Sequence, residues 1–270
     1  KYADAKGILH DAHTVALRTI ASHADLQALD DVGDTLISVG QQYGVDFESQ
    51  IKNKMFIQNG SFASSVGLFD GNTPLNQKGT GSQRLLSMGL NIQASAGNTL
   101  LVIDEVESGL EPYRLRSLLN ELRTTHASSG QVIMTTHSPI AVAECTIDEL
   151  LVVQSSDGHT DVFLLKSEDA KTNTTIQAQI RKNAESFLCK RIIVCEGKTE
   201  IGFVRALDTY LAKEKNYRMA FKGVGTADGG GSAIFSYTEL LRSCGYDVCI
   251  LMDSDLPEED ELKKNLLQNG

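Results

Sequence analysis

No apolar run in this sequence approaches the roughly 20 residues that a membrane-crossing helix needs, and no charged-then-apolar leader opens it. A soluble, cytoplasmic protein without membrane partners is the expectation. The five cysteines, Cys145, Cys189, Cys195, Cys244 and Cys249, are odd in number and show no C-x-x-C spacing. That excludes a disulfide framework or a cysteine zinc site as the organising feature and leaves buried free thiols. Bases are outnumbered, 25 against 35 acids, and the net charge of −10 excludes a chain whose whole surface binds nucleic acid. It leaves open a local site where metal ions offset carboxylates. Heptads and internal repeats are also missing, so the two halves of the chain read as different modules.

A further absence shapes the functional reading. The phosphate-gripping loop G-x-x-x-x-G-K-[ST] occurs nowhere in the 270 residues. Gly197-Lys198-Thr199 looks like its tail, but Ile192 stands where its first glycine belongs, inside the β-branched run Ile192-Ile193-Val194. A strand takes the place of the loop, and it ends on an acid, Glu196.

Hydrophobic periodicity gives an α/β organisation. Residues 1–50 read as helical. Strand-like pieces broken by Asn59-Gly60 and Asp70-Gly71 follow, then a polar glycine-bearing loop and a helix through Leu85 to Ile92. Two buried strands, at 100–103 and in "QVIMTTHSP", flank a helix over about 113–125, which predicts a parallel sheet with a helical crossover. The stretches 150–154 and 161–166 form an edge hairpin about Asp157-Gly158. A linker helix is placed at 171–188, and the α/β rhythm then restarts: strand 191–195, helix about 198–213, strand about 218–224, the loop "GVGTADGGGS", helix about 232–243 and strand 247–252.

Chemistry gathers at strand ends. Asp104 and Glu105 follow the apolar run 100–103, where one carboxylate can hold Mg²⁺ and the next acid can polarise an attacking water. His137 ends the next strand, within reach of a γ-phosphate, and "GTGSQR" at 79–84 offers flexible backbone and a hydroxyl ahead of a helix. Loop, acid pair and histidine in this order resemble the C-terminal half of an ABC-type ATPase of the chromosome-maintenance and recombination branch. "GTGSQR" then corresponds to the signature loop, "LLVIDEVESGLEP" to the Walker B strand and D-loop, and His137 to the switch histidine. The resemblance implies nucleotide contacts from Thr80, Gly81, Ser82, Gln83, Asp104, Glu105 and His137, with Glu105 catalytic and Asp104 on the metal. It also implies ATP as cofactor and homodimerisation through the ATPase, because the signature loop acts on nucleotide held by the other subunit. Without a phosphate-gripping loop, the chain alone is expected to bind ATP poorly and hydrolyse none.

The second cluster consists of Glu196 at one strand end and Asp253 and Asp255 at another, with Glu200 a helical turn past Glu196. Oxygen-only ligands suit Mg²⁺ or Mn²⁺, and four of them can hold two ions that share a scissile phosphate. The E-G-x-T-E strand end, glycine-rich middle and D-x-D strand end resemble the Toprim domain. That resemblance implies Glu196 as acid/base or metal ligand, and Asp253 and Asp255 as metal ligands with catalytic roles. Glu200 and, more loosely, Asp228 belong to the two-metal nuclease version, with Lys198 a phosphate contact or a solvated side chain.

An ABC-type half followed by Toprim resembles the OLD (overcoming lysogenization defect) family, including the Gabija-type antiphage nucleases, on "KGTGSQRLL", "DEVESGLEP", "THSP", "VCEGKTE" and "DSD". The expected layout is a helical segment at 1–50, an ATPase part at 51–170, a linker at 171–188 and a Toprim domain at 189–270. The expected function is an ATPase-regulated, metal-dependent DNA endonuclease in antiphage defence, with DNA as substrate. One alternative is a repair or chromosome-type scaffold whose Toprim-like end does not cleave; another is a defence-complex subunit that docks a protein partner through "HTVALRTIASHADLQALDD".

Overall fold

The computed structural model describes residues 15, 27–57, 64–94, 99–126, 130–165 and 170–253. The chain divides into two compact units, residues 1–135 and 136–270.

In the first unit, helix α1 (Gln27–Gln42) buries Leu36 and Val39, and Tyr43 and Val45 continue that buried face beyond its end. Strands β1 (Ile51–Ile57) and β2 (Ser64–Asp70) pair antiparallel from Ile51↔Asp70 to Ile57↔Ser64, and the short β3 (Thr73–Pro74) adds to β2. The Asp70-Gly71 turn is where the sequence places one, with Gly71 at φ 59°, whereas Asn59-Gly60 lies outside the described residues. Helix α2 (Thr80–Ala94) lies so close to the first helix that a Cβ on Gly89 would fall 2.3 Å from the Val39 side chain. Strands β4 (Thr99–Ile103) and β5 (Gly130–Met134) run parallel, joined through helix α3 (Pro112–His126). That helix buries Leu115, Leu118, Leu119 and Leu122, the i, i+3, i+4, i+7 stripe of a helix with one apolar face. On the sheet's other face, Leu100, Val102 and Ile133 are exposed, so the two strands are covered on one face and are not the fully buried pair that their apolar runs predict.

Asp70 anchors the segment that leads into α2. Its carboxylate accepts hydrogen bonds from the backbone N–H groups of Glu48 (2.9 Å) and Ser49 (2.8 Å) and pairs with Lys78 at 2.8 Å. Burial opposes its ionisation, but the bonds from Lys78, Glu48 and Ser49 outweigh burial and hold its pKa at about 2. A carboxylate depressed from about 3.9 stabilises the fold by about 2 kcal/mol above the unfolded value, and this is lost as pH falls toward 2. Denaturant melts of wild type and Asp70→Asn are therefore expected to differ fully at pH 6 and to converge on acidification to pH 2. A gap that does not change with pH would contradict this assignment.

The second unit opens with the short helix α4 (Pro139–Glu144), whose N-cap Ser138 accepts a hydrogen bond from the Ile140 N–H. Strands β6 (Leu151–Ser156) and β7 (His159–Leu164) form the expected hairpin. Its two turn residues, Asp157 and Gly158, have φ 51° and 81°, the left-handed pair that a twisted two-residue hairpin requires. Helix α5 (Ala170–Lys182) leads to a parallel sheet of order β10-β8-β9, in which β8 (Arg191–Cys195) is central, β9 (Val224–Asp228) and β10 (Asp247–Leu251) flank it, and helices α6 (Lys198–Glu214) and α7 (Ile234–Ser243) make the crossovers. Ile180, Ile192, Val194, Ala227, Ile234 and Leu241 form the centre of its core.

Two elements differ from expectation. The strand placed at 218–224 is instead a 3-10 turn, Met219–Lys222, closed by Gly223 at φ 67°, and the true strand is Val224–Asp228. A chain of glycine and small residues makes a poor strand by propensity. It serves here because β9 lies tight on its neighbours: a Cβ on Gly225 would stand 2.3 Å from Cys189 Sγ. The segment 171–188, read as a linker helix, is helical over Ala170–Lys182 and packs into the second unit with Ile176 and Ile180 buried, while the division by compactness falls earlier, between Thr135 and Thr136.

Candidate functional site

In the first unit, Asp104 and Glu105 leave the end of β4 together. Glu105 takes φ 48°, a left-handed conformation costly for a residue with a side chain. Its neighbours hold it there. Its N–H donates to Thr135 Oγ1 at 2.9 Å, and Thr135 Oγ1 in turn donates to Asp104 Oδ1. Arg84 Nη2 donates to both carbonyl oxygens of the acid pair, each at 2.7 Å. The chain then turns through Val106, whose N–H bonds to Thr135 O, and reaches Gly109 at φ 75°.

The loop residues expected to touch nucleotide, Thr80, Gly81, Ser82 and Gln83, form the first turn of α2, a position that favours anions, with the Gln83 N–H already donating to Gly79 O at 3.1 Å. Gly81 lies against the segment that follows the acid pair, since a Cβ there would meet Gly109 O at 2.4 Å. Ser82 Oγ accepts from Arg114 Nη1 at 3.1 Å, and Gln83 Nε2 donates to the carbonyls of Asn76 and Lys78 at 2.8 and 2.7 Å. His137 is exposed, just ahead of the N-cap of α4, and belongs to the second unit by compactness.

In the second unit, the C-terminal ends of three parallel strands carry acids, which is where ligands bind in such sheets. Glu196 continues the ladder past β8, its N–H bonded to Leu251 O at 2.9 Å. Glu196 Oε2 accepts the Asp253 N–H at 3.1 Å, so these two candidates meet across adjacent strand ends. Asp255 lies outside the described residues. Glu200 faces back along the first turn of α6, its Oε2 accepting the Gly197 N–H at 2.8 Å. Gly197 itself has extended backbone, and a Cβ there would meet only Glu200 at 3.5 Å, so the fold alone does not call for glycine.

Asp228 ends β9, buried, with both carboxylate oxygens engaged. Lys182 Nζ lies 2.6 Å and the Gly230 N–H 3.0 Å from Oδ1, and Lys198 Nζ lies 3.0 Å from Oδ2. Burial opposes its ionisation, yet the two ammonium groups and the Gly230 N–H outweigh burial and hold its pKa below the usual carboxylate range. Lys198, left between solvent and phosphate by the sequence, is therefore an ion-pair partner of Asp228. Burial, with Glu200 and Asp228 adding, pushes the Cys195 thiol up to about 11, so it stays protonated at neutral pH. The donors at this edge are all carboxylate oxygens, which suits a hard divalent cation in kind. Among the described residues, no three His, Cys, Asp or Glu side chains are gathered as one set of metal ligands.

Sequence reasoning missed Arg84, Gln179, Lys182 and Asn183. For the amides a signal existed: Ile176, Gln179, Ile180 and Asn183 fall at i, i+3, i+4 and i+7, so two polar residues occupy the apolar stripe of a helix.

Residues 24–143 match the family model described as "AAA domain, putative AbiEii toxin, Type IV TA system", and residues 187–255 match "Overcoming lysogenization defect protein-like, TOPRIM domain". The chain joins an AAA-type ATPase domain to an OLD-like Toprim domain. The stretch between the two matches holds α4's last residue, the β6–β7 hairpin and α5, so Lys182 and Asn183 stand just ahead of the Toprim match. Among curated proteins, the Old nuclease of Escherichia phage P2 is 26% identical over an alignment of 199 residues that covers 67% of this chain and 33% of that protein. The chain thus spans about a third of the relative's length. A solved chain from a study of ATP-driven dimerization and DNA-stimulated activation of SMC ATPases is 14% identical, covers 57% of this chain and 98% of that one, and superposes with a TM-score of 0.33. No described helix is long and apolar enough to cross a membrane.

Proposed function

We propose that this chain is the ATPase and Toprim portion of a DNA endonuclease that hydrolyses phosphodiesters with Mg²⁺ or Mn²⁺ and is gated by ATP-dependent dimerisation. The observation that carries this reading is the hydrogen bond from the Asp253 backbone N–H to the Glu196 carboxylate, which sets the two acids at the adjacent ends of the parallel strands β8 and β10. The OLD-like Toprim match and the likeness to a phage nuclease support it. Bound divalent ions would supply a hydroxide nucleophile and offset charge on the leaving oxygen. Glu196 and Asp253, joined by Asp255 and Glu200, would hold them. Asp228 orders Lys182 and Lys198 beside that edge, where ammonium groups can meet a phosphate oxygen.

In the ATPase domain, Asp104 and Glu105 would take the metal-binding and water-polarising roles, with Thr80 to Gln83 contacting nucleotide held by a second subunit and His137 near its γ-phosphate. DNA is the substrate, a homodimer or higher homo-oligomer the working assembly, and antiphage defence, with a protein partner in the complex, the setting. Incubating supercoiled plasmid with the full natural protein across an Mn²⁺ or Mg²⁺ titration tests this: nicking or linearisation should appear only with the ion. Clean protein that leaves the plasmid intact at every ion concentration would refute it.

One observation favours a second reading, a non-cleaving scaffold: Asp228 and Glu200 already have partners within the fold. A scaffold would bind DNA without Mn²⁺ at the carboxylates, which an Mn²⁺ titration separates from the nuclease.

A further inference from the structure

Among the described residues, strand β9 lies at an edge of the Toprim sheet, and no described strand pairs with the backbone of Asp228 on the side away from β8. Asn183 takes that place. Its Oδ1 accepts the Asp228 N–H at 2.8 Å and its Nδ2 donates to Asp228 O at 2.9 Å, the reciprocal pair that a neighbouring strand would make. Nδ2 also donates to Gln179 Oε1 at 3.0 Å, and Gln179 Nε2 donates to Gly229 O at 3.3 Å. Both amides are 8% exposed. Two primary amides in an apolar helix stripe cost desolvation unless fully paired, and apart from the bond between them their pairing is spent on residues 228 and 229.

The other side of the same short segment is tied to the carboxylate edge. The Gly229 N–H bonds to Cys195 O at 2.7 Å and the Gly231 N–H to Glu196 O at 3.1 Å. Gly230 and Gly231, at φ 73° and 64°, carry the left-handed backbone that makes this turn. Residues 228–231 are therefore clamped between the end of α5 and Glu196.

We propose that Gln179 and Asn183, ahead of the Toprim-matched residues, are positioning residues of the carboxylate edge: they fix Asp228 and the 229–231 turn, and through the turn the backbone of Glu196. The inference rests on the reading of that edge as a divalent-ion nuclease site. Neither amide touches ion or substrate. Their effect is on the placement of the groups that do.

The test uses the full natural protein and the variants Asn183→Ala and Gln179→Ala. Three measurements are needed: Mn²⁺ binding from the loss of free-ion EPR signal, plasmid cleavage across Mn²⁺ concentration with kcat separated from KM for DNA, and thermal melts. Removing a group that orients ion ligands typically weakens ion binding or activity by about 10- to 100-fold. Asn183→Ala is expected to raise the half-saturating Mn²⁺ about 10-fold and to lower kcat by a similar factor, with KM for DNA unchanged. Gln179→Ala, which loses one longer bond, should show the same pattern at about a third of the size. A purely structural role would lower the melting temperature and leave Mn²⁺ binding of the still-folded protein as in wild type. That result overturns the proposal. Should Asn183→Ala fail to fold, Gln179→Ala decides alone, and wild-type Mn²⁺ binding and kcat in it overturn the proposal. A wild type that binds Mn²⁺ without cleaving sinks the nuclease reading, and the Mn²⁺ shift in the variants still decides the positioning role. A wild type that neither binds nor cleaves sinks both.

Discussion

Glu196→Gln in the full natural protein is expected to lower Mg²⁺- or Mn²⁺-dependent plasmid cleavage by about a thousandfold, the scale on which preorganised charge stabilisation is lost. Glutamine keeps the shape and an acceptor oxygen for the Asp253 N–H, so the link between the ends of β8 and β10 survives. The negative charge is what goes. Fold should therefore hold, with a melting temperature close to wild type, while ion binding and cleavage fail together. Quantitative gel assays on matched preparations, with Mn²⁺ binding measured in parallel, separate this from misfolding. Cleavage within about tenfold of wild type would leave Glu196 without the role proposed for it, since general acid–base and ion-holding groups contribute more than that.

The second large effect is steric. Gly81→Ala would place a methyl carbon 2.4 Å from the backbone oxygen of Gly109, which cannot rotate away as a side chain could. Overpacking of this kind typically costs about 1–3 kcal/mol. For a unit of this size, that is a fall of roughly 5–15 °C in melting temperature. Because the collision falls between the start of α2 and the segment after the acid pair, nucleotide-dependent dimerisation is expected to suffer more than stability. Gly79→Ala is the control, since a Cβ there meets nothing within 4 Å. Equal melting temperatures for the two variants, measured by calorimetry with dimerisation followed by light scattering, would show that the contact yields without cost.

Sequence disclosed the strand ends well because the physics is local. Leu100 to Ile103 and Ile192 to Cys195 are apolar, strand-forming runs that stop at acids, and the helices between them carry one apolar stripe each. The hairpin at Asp157-Gly158 was equally readable, as two residues suited to positive φ between alternating strands. Strand β9 was not, because Val-Gly-Thr-Ala-Asp has little intrinsic strand preference and is a strand only through pairing with β8 and the close approach of Cys189. The acid pair of the ATPase domain was legible, but Arg84, which fastens both its carbonyls from 20 residues upstream, had no local signature. The same holds for Asp228: its position in the chain suggested an ion ligand, and only folding brings Lys182 onto its carboxylate across 46 residues of sequence.

The pairing of Asp228 with two lysines has an electrostatic consequence. Glu196, Glu200, Asp228 and Asp253 against Lys182 and Lys198 leave this edge with a formal charge of −2. A polyanion approaching such an edge is repelled until a doubly charged counterion neutralises it. On the proposed nuclease reading, association with DNA and occupancy of the edge by divalent cations are mutually reinforcing, so the complex should tighten as a divalent ion is titrated in.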